Sequence, residues 1–468
     1  MNKWLVIAFV GILTAAPIFG CGGSGGGGSS SGGGTPAPAP APTPAPTPSP
    51  VGEPEIFFPS WYGIAPRQVI NLTYNSTKTS EENGALLKAA ILALQPGQKL
   101  KIGAGTYSVN SYFNIALQGT ADSPIWIVAQ DGETPVITRP DADQNVINIG
   151  AGGSPARYLA IRGLEVTGGS QLMRLYDCAN VWVDQCHLHH GGDGGLTANT
   201  ADTDRIYLTR NEINHPGGPS STNEGMYLGA NNGQYVMTNS VIALNHIHDT
   251  GGTQGDGIEL KGGSYNNWIV ANHIHDTPYP CIVVYGTGGK GVNTIERNIL
   301  YRSNDNTLQV TGEAVVRNNL IMSGAAAGFA STDNQGTTAN LQVVHNTIIN
   351  TSRAANLSSW NNRAGMVFAN NVVYSRDAES IRFPNGSTGV AVKGNVVLGP
   401  VEGIAAGYIA GAGLTDFASV TWDASSRDAA PTASSAIIGA GDPAYAVLTD
   451  ITGAARQGSL ETGAYDRH

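Results

Sequence analysis

Charge is scarce in this chain. Asp, Glu, Lys and Arg make up 13% of its 468 residues, about half the usual share. The balance is negative, −10 at neutral pH, which argues against nucleic acid as a partner. Cysteine is scarcer still. Beyond Cys21 there are only Cys178, Cys186 and Cys281. Three thiols cannot all pair, so a Cys178–Cys186 bridge and buried free thiols are both open. A membrane-spanning run is also lacking at the N-terminus. The stretch WLVIAFVGILTAAPIFG after Lys3 is too short and too N-terminal for a convincing span, and residues 1–20 read as a secretory signal.

Glycine, by contrast, is abundant, at 62 residues. Together with many Asn, Thr and Ser it suits an all-β chain with tight turns. The signal ends in Ile18-Phe19-Gly20-Cys21, which resembles a bacterial lipobox and implies lipidation at Cys21. Residues 21–52 are Gly/Ser-rich and then run TPAPAPAPTPAPTPSP, a flexible coil followed by a stiff, extended spacer. A cysteine followed by a tether favours membrane attachment through an N-terminal lipid anchor, on the bacterial outer membrane or cell surface.

The rest of the chain repeats itself. SVIALNHIHDT and NWIVANHIHDT carry Asn245 and Asn272 at the same place. Related segments carry Asn211, Asn298, Asn318, Asn346 and Asn370, so the asparagines are spaced 34, 27, 26, 20, 28 and 24 apart. A period in the twenties with short alternating segments means a solenoid. Each repeat divides in three. Val241–Leu244 is one strand, Asn245 makes a bend, and His246–His248 is a second strand. A Gly-rich loop leads to a third strand, Gly257–Lys261.

Three short parallel strands per coil with Asn stacked at one bend resemble the right-handed parallel β-helix of the pectate-lyase-like superfamily. The expected fold class is therefore all-β, a parallel β-helix over residues 53–404. A capping helix is expected at EENGALLKAAILAL (81–94), which has helical periodicity and stops before Gln95-Pro96-Gly97. Residues 405–468 are expected to cap the other end. The segments KAAILALQPGQKLKIGAGTY and GTADSPIWI look like the opening of alginate lyases, chondroitinase-B-type lyases and a second pectate lyase family. The acidic run of pectate-lyase calcium sites and the Lys/Arg segments of the alginate group are absent, so no family's residues carry over intact.

The resemblance implies a substrate groove along the strands that follow the long loops. Side chains there alternate between core and solvent. One outward column then reads Arg174, Thr197, Tyr227, Glu259, Val283, Gln309. Its neighbour reads Tyr176, Asn199, Gly229, Lys261, Tyr285, Thr311, and Arg382 lies further along. Arginine pairs with uronate carboxylates and tyrosine offers an aromatic platform with a polar tip. Arg174, Tyr176, Asn199, Tyr285, Gln309 and Arg382 are thus candidate sugar-binding groups for an acidic polysaccharide.

Lys261, Tyr227 and His248 are the candidate catalytic groups. β-Elimination of a uronate removes the C5 proton beside the carboxylate, and lyases of this fold commonly use Lys or Arg as base and Ca²⁺ to neutralise the carboxylate. A lysine base must be uncharged when it acts; Glu259 beside it favours the charged form unless a metal takes Glu259. Glu224, Asp256 and Glu259 are the candidate Ca²⁺ ligands. The histidines align as His187, His246, His273 and as His189, His248, His275. Such columns read as a structural ladder or as ligands for a transition metal. The expected function is a monomeric, envelope-anchored polysaccharide lyase. The alternatives are a glycoside hydrolase or C5-epimerase in the same groove, or a glycan-binding β-helix without catalysis.

Overall fold

Strands in this chain are short because each coil must turn three times around one apolar core. The computed structural model describes residues 57–467. The expected signal (1–20), Cys21 and the linker (21–52) lie outside the described residues. Three parallel sheets of 14, 12 and 13 strands run the length of the molecule, making a right-handed parallel β-helix. We call the sheet before the Asn bend the first, the sheet after it the second, and the sheet after the long loop the third. In one coil these are Val241–Ala243, His246–His248 and Ile258–Leu260. Inward residues such as Ile242, Ile247, Ile258 and Leu260 are fully buried in a single continuous core. Burying each such side chain stabilises the fold by ~1.5–3 kcal/mol. Because the same inward positions recur in every coil, the core grows by one layer per repeat. The solenoid continues to Ala410, whose strand Tyr408–Ala410 pairs with Asn395–Leu398, beyond the expected limit at 404.

The asparagine ladder sits between the first and second sheets and runs Asn211, Asn245, Asn272, Asn298, Asn319, Asn346, Asn371, Asn395. Each amide nitrogen reaches the next side-chain oxygen at 2.8–3.2 Å. That oxygen also accepts from the backbone N–H of the preceding ladder residue. Buried amides are thereby satisfied in both donors and acceptors. In the two Asn-Asn pairs the ladder takes the second residue, not Asn318 or Asn370 as the repeat suggests. The reason is conformational. The residue before each ladder asparagine has positive φ: Arg210, Leu244, Ala271, Arg297, Asn318, His345, Asn370 and Gly394 lie between 53° and 60°. The left-handed turn points that side chain away from the stack, and Asn is among the few residues that enter it at low cost.

Helix Ser80–Leu92 starts at a capping box formed by Thr79 and Glu82. It packs on strand Gly105–Ser108, and its Leu87 and Ile91 join the core. Gly84 allows the close approach, since a Cβ there would lie 1.9 Å from the Ser108 carbonyl oxygen. Phe57, Phe58 and Trp61 lie on outward rings of the first sheet, including Trp126, Trp182 and Trp268.

The C-terminal segment does not sit over the end of the solenoid as expected; it runs back along the flank. Phe417, Val420, Ile437, Ile451 and Ala464 cover outward side chains of the second sheet, among them Tyr301, Met322, Ile349 and Tyr374. Arg456 reaches Asn318 at 2.9 Å and the Gly463 carbonyl at 2.8 Å. The outward residues of this half of the sheet are apolar, so a cover over that face buries more surface than a lid on one coil. Cys178, Cys186 and Cys281 are free and buried, and burial pushes each thiol up to about 12. Among the described residues, no helix is long and apolar enough to cross a membrane.

Candidate active-site groove

The third sheet keeps the register expected from alternation. Arg174 pairs with Thr197, Thr197 with Tyr227, Tyr227 with Glu259, Glu259 with Val283 and Val283 with Gln309. The column extends backward to Asn148 and Asn114 and forward through Ala330 and Asn356 to Arg382 and Glu402. The second column follows two residues on, where Gly229, Lys261, Tyr285 and Thr311 each donate a backbone N–H to the preceding coil.

The middle of this stripe is a cavity of about 400 Å³. Tyr227, Glu259, Lys261, Tyr285 and Gln309 line it together with Asp256 and Asp305. Lys261 is 5% exposed and Glu259 4%, so an outward position does not mean a solvated one here. The Lys261 ammonium donates to Glu259. It also lies 4.4 Å from the ring centroid of Tyr227 and 5.3 Å from that of Tyr285, a cation held between two aromatic faces. The Tyr285 hydroxyl donates to the same Glu259 oxygen at 3.1 Å. The other oxygen of Glu259 and Oδ1 of Asp256 are buried with no hydrogen-bond partner, a costly arrangement for a carboxylate unless it is protonated or meets a ligand.

Protonation follows from these surroundings. Burial, then the charges of Glu259 and Glu224, push the Asp256 carboxyl well above the usual carboxylate range. Burial likewise raises Glu224, with Glu259 adding to it. Tyr227 and Tyr285 are both pushed up by burial and by the charge of Glu259. The floor therefore holds one ion pair, the Asp256 carboxyl biased toward its acid form and two phenols that keep their protons, with the raised Glu224 near by.

Several expected site residues lie elsewhere. Arg174 and Arg382 stand in the same column, but ~14 Å and ~24 Å from Glu259 at one coil per ~4.8 Å. Arg174 donates to Thr197 at 3.2 Å and Arg382 to Glu402 at 2.9 Å. Tyr176 lines a separate hollow with Asp177 and Thr200. Asn199 lies one coil before Gly229 in the second column and does not line the cavity. His248 is not a groove residue. It projects from the second sheet, where its ring nitrogens face Asp249 and Glu212, because a strand that follows the Asn bend faces a different side of the coil.

The expected calcium ligands do not close into a three-residue cluster among the described residues. Among the described residues, Glu165, His187 and His189 bring three ligand atoms within 4.8 Å of one another, as do Glu212, His246 and His248; Glu224, Asp256 and Glu259 do not. Glu224 is engaged by Thr222 at 2.6 Å, and Lys261 already supplies a positive charge at Glu259.

Other lining residues were not apparent from the repeat because they come from loops. Gln254, Tyr279 and Asp305 precede third-sheet strands, while Asn231 and Gln335 follow them. Gln335 arches back to Asn231 at 3.2 Å. Gly336 in the same loop packs on Gly286, where a Cβ would meet its Cα at 3.2 Å. The one available signal was the glycine at this position. A larger hollow, about 610 Å³, opens beside Thr250, Asp276 and Arg302, but Asp276 is committed there to Arg302 and His275.

A family model for the right-handed β-helix region matches residues 144–291 and 232–373. No curated protein matches the sequence. Among solved structures, XylC in complex with xylose is similar at 9% identity and TM-score 0.52, covering 85% of this chain and 98% of that one. Pectate lyase Pel9A is similar at 16% identity and TM-score 0.48, covering 87% and 98%. An alginate lyase from Paenibacillus sp. str. FPU-7 is similar at 15% identity and TM-score 0.44, covering 72% and 99%. At such identities the likeness is one of fold alone. Sheet topology and family model agree that the chain is a right-handed parallel β-helix protein.

Proposed function

We propose that the groove cleaves an acidic, uronate-containing polysaccharide by β-elimination. The observation that carries this reading is the buried Lys261–Glu259 pair held between Tyr227 and Tyr285 on the groove floor. Elimination needs a partner for the substrate carboxylate, a base for the C5 proton and an acid for the departing O4. Asp256, biased toward its acid form by burial, offers an O–H to the carboxylate, much as a neutral carboxylic acid stabilises an enolate. Lys261 passes one proton to Glu259 inside the pair and then takes the C5 proton. In a dry site the neutral and ionic forms of such a pair approach one another in energy. The C5–H electrons form the C4–C5 double bond, the C4–O4 bond breaks, and the Tyr227 phenol gives its proton to O4.

Hydrolysis is a second reading, favoured by the same raised Asp256. An acid-form carboxyl beside an ionised Glu259 is the pairing used to cleave glycosides. Incubating the full chain with a panel of uronate polysaccharides separates the two. Rising ultraviolet absorbance marks the conjugated end left only by elimination. New reducing ends without absorbance would replace elimination by hydrolysis, and no new ends with any substrate would remove both.

A further inference from the structure

The second sheet carries chemistry that the groove does not use. Its outward register runs Glu165, His187, Glu212, His246, His273 in one column and Thr167, His189, Asn214, His248, His275 in the next. The histidines are therefore not stacked directly on one another from His187 to His246; an acidic residue alternates with them. This alternation closes two similar triads. In each, two histidines two residues apart on one strand meet a glutamate from the preceding coil, with one ligand atom from each residue within 4.8 Å of the others.

The Glu212 triad is the better defined. Glu212 Oε1 stands 3.4 Å from His248 Nε2, and a ring nitrogen of His246 lies within 4.8 Å of both ligand atoms. Neighbouring ligand atoms around a tetrahedral zinc at ~2.0–2.1 Å lie ~3.3 Å apart, so the Glu212–His248 separation already matches an edge of a coordination shell. Asp249 engages Nδ1 of His248 at 2.7 Å. A carboxylate on the far nitrogen fixes the ring and leaves Nε2 free for a metal. The first triad repeats the pattern, with Glu165 Oε1 at 3.1 Å from His189 Nε2 and His190 on the opposite ring nitrogen at 2.7 Å. The C-terminal segment covers the second sheet only from Tyr301 onward, and both triads precede it.

We propose that each triad is a binding site for a divalent transition metal ion through two imidazoles and one carboxylate, Glu165–His187–His189 and Glu212–His246–His248. Such ligands suit zinc over calcium, which prefers all-oxygen shells. The sites lie on a different sheet from the groove and do not depend on its reaction. They tie successive coils together across the strand ladder.

The test is titration of the full chain with zinc by calorimetry, with cobalt as a visible-spectrum reporter of tetrahedral nitrogen and oxygen ligation. The expected result is two ions per chain and a tetrahedral cobalt spectrum. His248→Ala and, separately, the exposed Glu212→Gln should each weaken one site at least about tenfold. His189→Ala should remove the other. A melting curve without metal checks that each variant folds, and Glu212→Gln keeps the test open if a histidine variant does not. Fewer than two ions, an octahedral cobalt spectrum, or binding unchanged in these variants overturns the proposal.

Discussion

The third sheet and the second sheet stack outward side chains in the same way, one layer every ~4.8 Å, yet their charged groups meet different surroundings. On the third sheet, loops before and after each strand lean over the middle coils, and Lys261 and Glu259 end up as buried as core residues. On the second sheet, Glu212, His246 and His248 remain partly open. Further along the same sheet, the outward residues turn apolar and the C-terminal segment covers them. The repeat thus sets where a side chain points, and the loops and the tail set whether it sees water. Buried charges in the groove are forced into pairing and proton sharing; half-open imidazoles on the flank keep nitrogen lone pairs available.

That contrast can be broken most sharply at Lys261. Lys261→Met should reduce turnover by about a thousandfold or more and also lower stability by up to about 3–5 kcal/mol, because Glu259 loses its partner in a dry site. Lys261→Met with Glu259→Gln should restore most of the melting temperature and none of the activity. Full activity in either variant removes Lys261 from the mechanism. Asp256→Asn is the next step down. If Asp256 serves as a neutral donor to the substrate carboxylate, the amide replaces it and activity falls only about tenfold. A loss of about a thousandfold would instead mark Asp256 as the proton donor of a hydrolase.

Stability variants sharpen the other side of the comparison. Asn319→Ala breaks links to Asn298, Asn346 and two backbone carbonyls and should cost about 3 kcal/mol or more in denaturant melts. Asn318→Gly keeps the left-handed turn and loses only contacts to Thr449 and Arg456, for about 1 kcal/mol. Equal costs would contradict the ladder assignment. The smallest effect is expected at His345, which is fully buried and held well below its ordinary value, chiefly by burial. The unfolded chain takes up the proton first, near its ordinary pKa of ~6.5, so the stability His345 contributes is present above that pH and lost below it. His345→Gln should flatten the fall in melting temperature between about pH 7 and pH 5; an unchanged slope would remove His345 as a source.

Much of this architecture was legible in the residues. Alternation placed Tyr227 and Glu259 in one column and Lys261 and Tyr285 in the next, because a one-residue shift would turn every apolar side chain to solvent. The ladder was offset at Asn318 and Asn370 because both residues of each pair are asparagine and only the backbone angle distinguishes them. The histidines were aligned by likeness, which skipped the coil carrying Glu212 and hid the alternation of acid and imidazole. Gln335, Asp305 and Tyr279 were out of reach because loop paths follow no period. The flank position of residues 411–467 was likewise unreadable, since their apolar partners lie on strands far away in sequence.

The central claim is that Lys261 and its neighbours eliminate rather than hydrolyse. Mass spectrometry of the oligosaccharides released from a uronate polysaccharide by the full chain tests it most directly. Fragments with a new non-reducing end lighter by one water than a hydrolytic product are the predicted result, lost in Lys261→Met. Fragments of full hydrolytic mass, lost in Asp256→Asn, would contradict it.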